Sequence, residues 1–298
     1  MKHGLSCLFV VAEEMVAGHG EDSYYYAATE NRFIAAAFDG CGGSGSKKYE
    51  NYSKQTGAYV ASRAVSGGVK TWFDSGKKEN EMQSYVQASL DVLQKYADAG
   101  GRVFGSLGKA FPTTAAIVSG NISKRNTEIT LSWAGDSRCY LLNANGLHQL
   151  TSDDLDDEDA MSNLYNDGIM TNVINASTPF TLHQLSFRLN EPGIFIAATD
   201  GCFGYLKSPM EFENLLVDSL VRAENLQSWK KDLNDRIHAV TGDDYTLTVA
   251  AIGYASFLEM QRSLLARHKI LNQQYLIPDY DANVLWQQYK QEYSRYLG

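Results

Sequence analysis

A chain of 298 residues is long enough for one large domain or two ordinary ones, with a substantial core. An apolar fraction of 44% and a charged fraction of 20% exclude global disorder. A formal net charge of −9 argues against nucleic acid as a main partner, since phosphate backbones need basic patches.

Leu5 to Ala12 is apolar but too short to span a bilayer, and it meets Glu13-Glu14 with no cleavage site between, so it predicts a strand and no membrane association. Cys7, Cys41, Cys139 and Cys202 show neither paired zinc spacing nor a disulfide framework, the pattern of reduced thiols in a cytoplasmic protein. Ser23 to Ala28 and Phe33 to Phe38 read as arms of a hairpin turning through Glu30-Asn31, the second arm closing on Asp39-Gly40-Cys41-Gly42-Gly43. Tyr52 to Phe73 has helical spacing with an interruption or end near Gly67-Gly68, and Glu79 to Ala97 places Met82, Tyr85, Val86, Leu90, Leu93 and Tyr96 on one helical stripe.

Strands return with Thr113 to Val118, a polar turn over Gly120 to Thr127, an alternating run through Ile129, Leu131 and Trp133, and then Tyr140 to Leu142. Gly135-Asp136-Ser137-Arg138 lies between the last two. Thr151 to Asn166 is acidic and poor in large apolar groups; it reads as a mobile surface loop and lacks the calcium-loop pattern. Thr178 to Leu189 and Ile194 to Thr199 read as strands, the latter ending at Asp200-Gly201. Pro209 to Val221 and Leu226 to Val240 follow as helices, and Asp243-Asp244 precedes the last core strand, which ends at Ile252. Phe257 to Leu271 is helical in spacing, Pro278 breaks the pattern, and Ala282 to Leu297 resumes it.

If the hairpin forms, Asp22 and Asp39 share its open end; if Ile194 to Thr199 and Leu247 to Ile252 pair antiparallel, Asp200 and Asp243 share theirs. Carboxylates gathered in this way repel unless positive charge lies between them, and oxygen-only ligands favour magnesium or manganese over zinc.

The order Glu-Asp, Phe-Asp-Gly-x-Gly-Gly, Ala-Gly-Asp-Ser-Arg, Thr-Asp-Gly, Asp-Asp-x-Thr resembles the metal-dependent serine/threonine protein phosphatases of type 2C, bacterial members in particular, over roughly residues 5 to 255. The resemblance implies an α+β fold, a four-layer sandwich of two antiparallel sheets flanked by helices. Residues 1–255 would form the catalytic domain and 256–298 a helical C-terminal extension able either to pack on it or to dock a protein partner.

It also implies two Mn2+ or Mg2+ ions and a third held weakly. Asp39 and the Gly40 carbonyl, Asp200 and Asp243 would be ligands, Glu21 and Asp22 would act largely through water, and Asp136 would help hold the third ion. The implied reaction is hydrolysis of phosphoserine and phosphothreonine proteins by in-line attack of a metal-bridging hydroxide, with Asp39, Asp200 and Asp243 acting through the activated water and no cysteinyl intermediate.

Three departures from the family pattern stand out. Cys41 occupies a place where many members have histidine. No arginine lies between Glu13 and Gly20, leaving His19 as the nearest candidate for gripping the substrate phosphate. Ser152-Asp153-Asp154 stands where a histidine is frequent, and the stretch reaching Thr199 is short for a substrate-facing flap. The competing reading is a phosphatase-like module that binds metal and phosphoprotein partners for regulation with weakened turnover.

Overall fold

The computed structural model describes residues 4–98, 110–123, 126–157, 159–165, 168–277 and 281–297. The break expected at Pro278 lies outside them. In chain order the elements are strand β1 (Leu5–Glu13), the hairpin β2 (Ser23–Ala28) and β3 (Arg32–Phe38), and a one-turn helix α1 (Gly42–Gly45). A two-residue ribbon, β4 (Lys48–Tyr49) and β5 (Gln55–Thr56), leads to helices α2 (Gly57–Ser75) and α3 (Met82–Asp98). Strands β6 (Ala115–Ile122), β7 (Thr127–Ala134), β8 (Arg138–Asn143), β9 (Gly146–Gln149), β10 (His183–Leu189) and β11 (Gly193–Ala198) come next. Helices α4 (Pro209–Arg222) and α5 (Leu226–His238), strand β12 (Tyr245–Ile252), and helices α6 (Phe257–Ile270) and α7 (Ala282–Tyr293) complete the chain.

Two five-stranded sheets result, one ordered β1-β12-β11-β8-β9 and the other β10-β7-β6-β3-β2, with antiparallel pairing throughout. The continuous apolar run of β3 is explained by burial on both faces. Its Phe33, Ala35 and Ala37 meet Leu141, Phe195, Ala197 and Ala250 of the other sheet. Ile34, Ala36 and Phe38 meet Val65, Val69 and Trp72 of α2 and Met82, Val86 and Leu90 of α3. β2 is the edge, and its alternate residues Tyr24 and Tyr26 face outward. On the far side, Tyr140, Ile196, Leu247 and Val249 pack beneath α4 to α7, closing the four layers.

The helix starts are chemical: Thr56, Ser208, Asn225, Ser256 and Asp281 cap the N-termini of α2, α4, α5, α6 and α7. Helix α2 runs unbroken through Gly67-Gly68, contrary to the expectation of an interruption. A Cβ on Gly68 would stand 2.9 Å from the Tyr85 carbonyl, so this glycine admits α3 rather than ending α2. Strand β6 continues through Gly120 to Ile122, shortening the expected turn, because Phe33 fills the space a side chain at Gly120 would need. Thr178 to Thr181 are not strand; β10 begins only at His183.

The acidic stretch after Thr151, expected to be mobile, is held at many points. Asp153 accepts a bidentate pair from Arg138, Asp154 accepts from the Gly135 N–H at 2.9 Å, and Asp159 accepts from Trp286 Nε1 at 3.1 Å and from Lys290. These anchors reach it from β8, the turn after β7, and α7. Trp286, Tyr289 and Tyr293 are buried in the core that α4 and α5 cover. No helix among the described residues is long and apolar enough to cross a membrane.

Candidate active site

The sandwich brings one end of each sheet to a common rim. From one sheet come Asp22 before β2, Asp39 after β3, Thr113 and Thr114 before β6, and Asp136 after β7. From the other come Asp200 after β11 and Asp243-Asp244 before β12. Ser23 pairs with Phe38 and Ala198 with Leu247, so each expected pair of acids does share an end.

Backbone contacts fix these corners. The Asp39 carbonyl accepts from Thr113 Oγ1 at 2.6 Å and from the Thr114 N–H at 2.8 Å. Gly40 is obligatory for space, since a Cβ there would lie 2.7 Å from the Glu21 carbonyl and 2.6 Å from that of Ala58. Gly201 has the same task, its added Cβ falling 2.0 Å from the Asp244 carbonyl. Each Asp-Gly corner thus has its glycine because another acidic corner presses its backbone against it. The sheets are tied across the rim: Thr199 Oγ1 donates to Asp22 Oδ2 at 2.8 Å, and accepts from the Thr246 N–H at 2.9 Å.

The electrostatics follow from this crowding. Loss of water, with Asp200 and Asp244 nearby, pushes the Asp22 carboxyl up to about 8. Burial and the charges of Asp200, Asp22, Asp136 and Asp243 raise Asp39 well above the ordinary carboxylate range. Burial and Asp200 lift Asp136 to about 7, and burial and Asp243 lift Asp200 to about 6. Burial also raises Asp243 and Glu21. The acids therefore feel one another and lack enough neighbouring positive charge. Arg138 eases Asp136 and Asp200, but its guanidinium is committed to Asp153 at 2.6 Å.

The donor set fits hard cations. All of it is oxygen, and buried Asp136 Oδ1 has no hydrogen-bond partner. Among the described residues, however, no group of three or more His, Cys, Asp or Glu side chains is gathered so as to hold an ion as it stands. Cys202 is no ready nucleophile: burial drives its thiol far up, and its Sγ donates to the Thr246 carbonyl.

His19 lies exposed on the loop before Glu21, its backbone N–H donating to Val16 at 2.9 Å. The cation that reaches this loop is Arg63 of α2, whose Nη2 donates to the Gly20 carbonyl at 3.0 Å and whose charge lowers the Glu21 carboxyl against the effect of burial. Sequence reasoning passes over Arg63, and also over Thr56 and Ser62, which donate to the Glu21 carboxylate and carbonyl. It misses a role for Asp244, which accepts from the Met15 and Glu21 N–H groups at 2.8 and 2.7 Å and so closes the loop. Only the Asp243-Asp244 doublet could have signalled it. His183 Nε2 meets Asp154 at 2.9 Å from β10.

No family model and no curated protein sequence matches the chain. Solved structures do. A bacterial serine phosphatase is similar at 19% identity over 83% of this chain and 98% of that chain, with a TM-score of 0.62. Stp1, a serine/threonine phosphatase from Staphylococcus aureus, is similar at 19% identity over 85% and 98%, with a TM-score of 0.59. The catalytic domain of the serine/threonine protein phosphatase PstP in complex with two manganese ions is similar at 16% identity over 84% and 99%, with a TM-score of 0.57. At such identities the likeness is one of architecture, and it agrees with the motif order: this chain has the α+β sandwich fold of the bacterial type 2C serine/threonine phosphatases.

Proposed function

We propose that the chain is a manganese- or magnesium-dependent phosphatase acting on phosphoserine and phosphothreonine proteins. The observation that carries this reading is the convergence of Asp22, Asp39, Asp136, Asp200 and Asp243 from both sheets on one rim, with carboxyls raised by burial and by one another. Such a cluster is costly to a fold and calls for divalent cations. Asp39, the Gly40 carbonyl, Asp200 and Asp243 would hold two of them, with Glu21 and Asp22 supporting from outside and Asp136 serving a third. When bound, the pair supplies an acidified water and offsets charge on the phosphoryl oxygens.

The chain's own contribution is placement. Thr113 and Thr114 fix the Asp39 backbone, Thr199 aims Asp22, and Asp244 fastens the Glu21 loop to β12. Residues 1–255 form the catalytic unit in this reading, with 256–298 an extension whose α7 holds the acidic loop through Asp159.

Turnover of an aryl phosphate and a phosphothreonine peptide with manganese present, lost on Asp39→Asn, is the expected result. A folded protein that hydrolyses neither overturns the proposal. The regulatory-module reading is favoured by the absence of an arginine between Glu13 and Gly20. Calorimetric manganese binding without turnover would select it.

A further inference from the structure

An open cavity of about 940 Å³ lies away from the acids, between α2 and α3. Val60, Ala64, Ala88, Val92 and Leu93 line it with the rings of Tyr52, Tyr59 and Tyr85, and Val92 is 70% exposed. Apolar concavities of this size with a few placed polar groups are the usual form of a binding site. One end adjoins the acid rim: Gln55 and Arg63, both lining residues, donate to the carbonyls of Gly18 and Gly20, next to Glu21.

Arg63 is the one charged side chain among the described residues that line the cavity. Its guanidinium lies 3.4 Å from the Tyr59 ring centroid and 3.5 Å from Glu14, so it stands where apolar groove and acidic rim meet. Glu14 offsets that cation, so the groove carries little charge of its own and favours an occupant whose apolar groups trail away from an anionic group held at the acid rim. From Arg63 to Thr71 the groove follows α2 for about 12 Å, the reach of three or four extended residues.

We infer that the α2–α3 groove is a specificity subsite that receives apolar side chains flanking the phosphorylated residue of a protein substrate, with Arg63 marking the passage to the acids. This rests on the phosphatase reading. The experiment compares an aryl phosphate with two phosphothreonine peptides, one carrying leucine and valine within four residues of the phosphate and one carrying glycine and serine there. Proteins are the wild type, Val92→Glu at the exposed wall, and Ala64→Leu, which fills the groove.

The wild type is expected to favour the apolar peptide by roughly tenfold or more in kcat/KM, as hydrophobic subsites do. Both variants should lose that preference through KM while keeping aryl phosphate turnover. Absence of a preference in the wild type, or its survival in both variants, overturns the inference. If the folded wild type turns over neither the aryl phosphate nor either peptide, the phosphatase reading itself fails. Fluorescence anisotropy of the labelled peptides then still reads the groove: equal binding overturns the subsite, and selective binding abolished by Val92→Glu supports it.

Discussion

Two sets of buried carboxylates in this molecule are built to opposite ends. Glu213 of α4 is wholly buried, yet Arg267 of α6 grips it with two bonds of 2.6 Å and Tyr289 of α7 donates a third at 2.6 Å. Every charge there has a partner on a neighbouring helix, and the set joins the C-terminal helices to the core. Asp22, Asp39, Asp136 and Asp200 are crowded instead by one another, and their carboxyls are pushed up. A fold retains acids of the first kind as structure; the second kind is a standing cost that a bound cation would relieve.

The sharpest way to test this contrast is Asp39→Asn. It is expected to lower manganese-dependent turnover by roughly 10³-fold or more, the scale of losing a group that organises transition-state charge. The same change should raise the melting temperature of the chelator-treated protein, because it deletes a desolvated, repelled charge. A fall in melting temperature would place Asp39 with the structural acids. Glu213→Ala should behave oppositely: it strands Arg267 and is expected to cost about 3–5 kcal/mol in denaturant unfolding. A loss below about 1 kcal/mol, the value of an exposed pair, would break the comparison from its other side.

The acid rim was legible in sequence because each member lies at one end of an apolar or aromatic run, and Asp39, Asp136, Asp200 and Asp243 also adjoin a glycine; the pairing of Ser23 with Phe38 and Ala198 with Leu247 follows from run lengths. What holds the rim together was less visible. Arg63 meets Gly20, Thr199 meets Asp22 and Asp244 meets Met15, each across a long stretch of chain, so nothing local marks them. Gly67-Gly68 looks like a helix end because glycine weakens helices, and only the approach of α3 shows why Gly68 is kept inside one. The segment after Thr151 has the composition of a solvated loop, but its aspartates are used by Arg138, His183 and Trp286.

The comparison also carries a pH signature. Carboxyls raised in the folded state bind protons that the unfolded chain has released above its ordinary value near 4, so folded stability falls as pH rises from there. The fall should continue until Asp22, pushed to about 8, has ionised. Metal-free protein is therefore expected to melt several degrees lower at pH 8 than at pH 5.5, and manganese should flatten the slope. A metal-free protein whose stability rises over that window would contradict the crowding of the rim.

The smallest effect belongs to the acidic loop, where one carboxylate sits between the two extremes. Asp159 is partly exposed, and Lys290 draws its carboxyl below the ordinary range against the opposing effect of burial. It also accepts from the N–H groups of Met161 and Ser162 and from Trp286 Nε1. Lys290→Ala removes a half-exposed cation that water can replace, and is expected to cost about 0.5 kcal/mol. Asp159→Ala leaves the loop N–H groups and the Trp286 N–H without their acceptor, and is expected to cost about 1–2 kcal/mol. If the two losses prove equal, the ion pair and not the hydrogen-bonded turn is what fastens α7 to the loop.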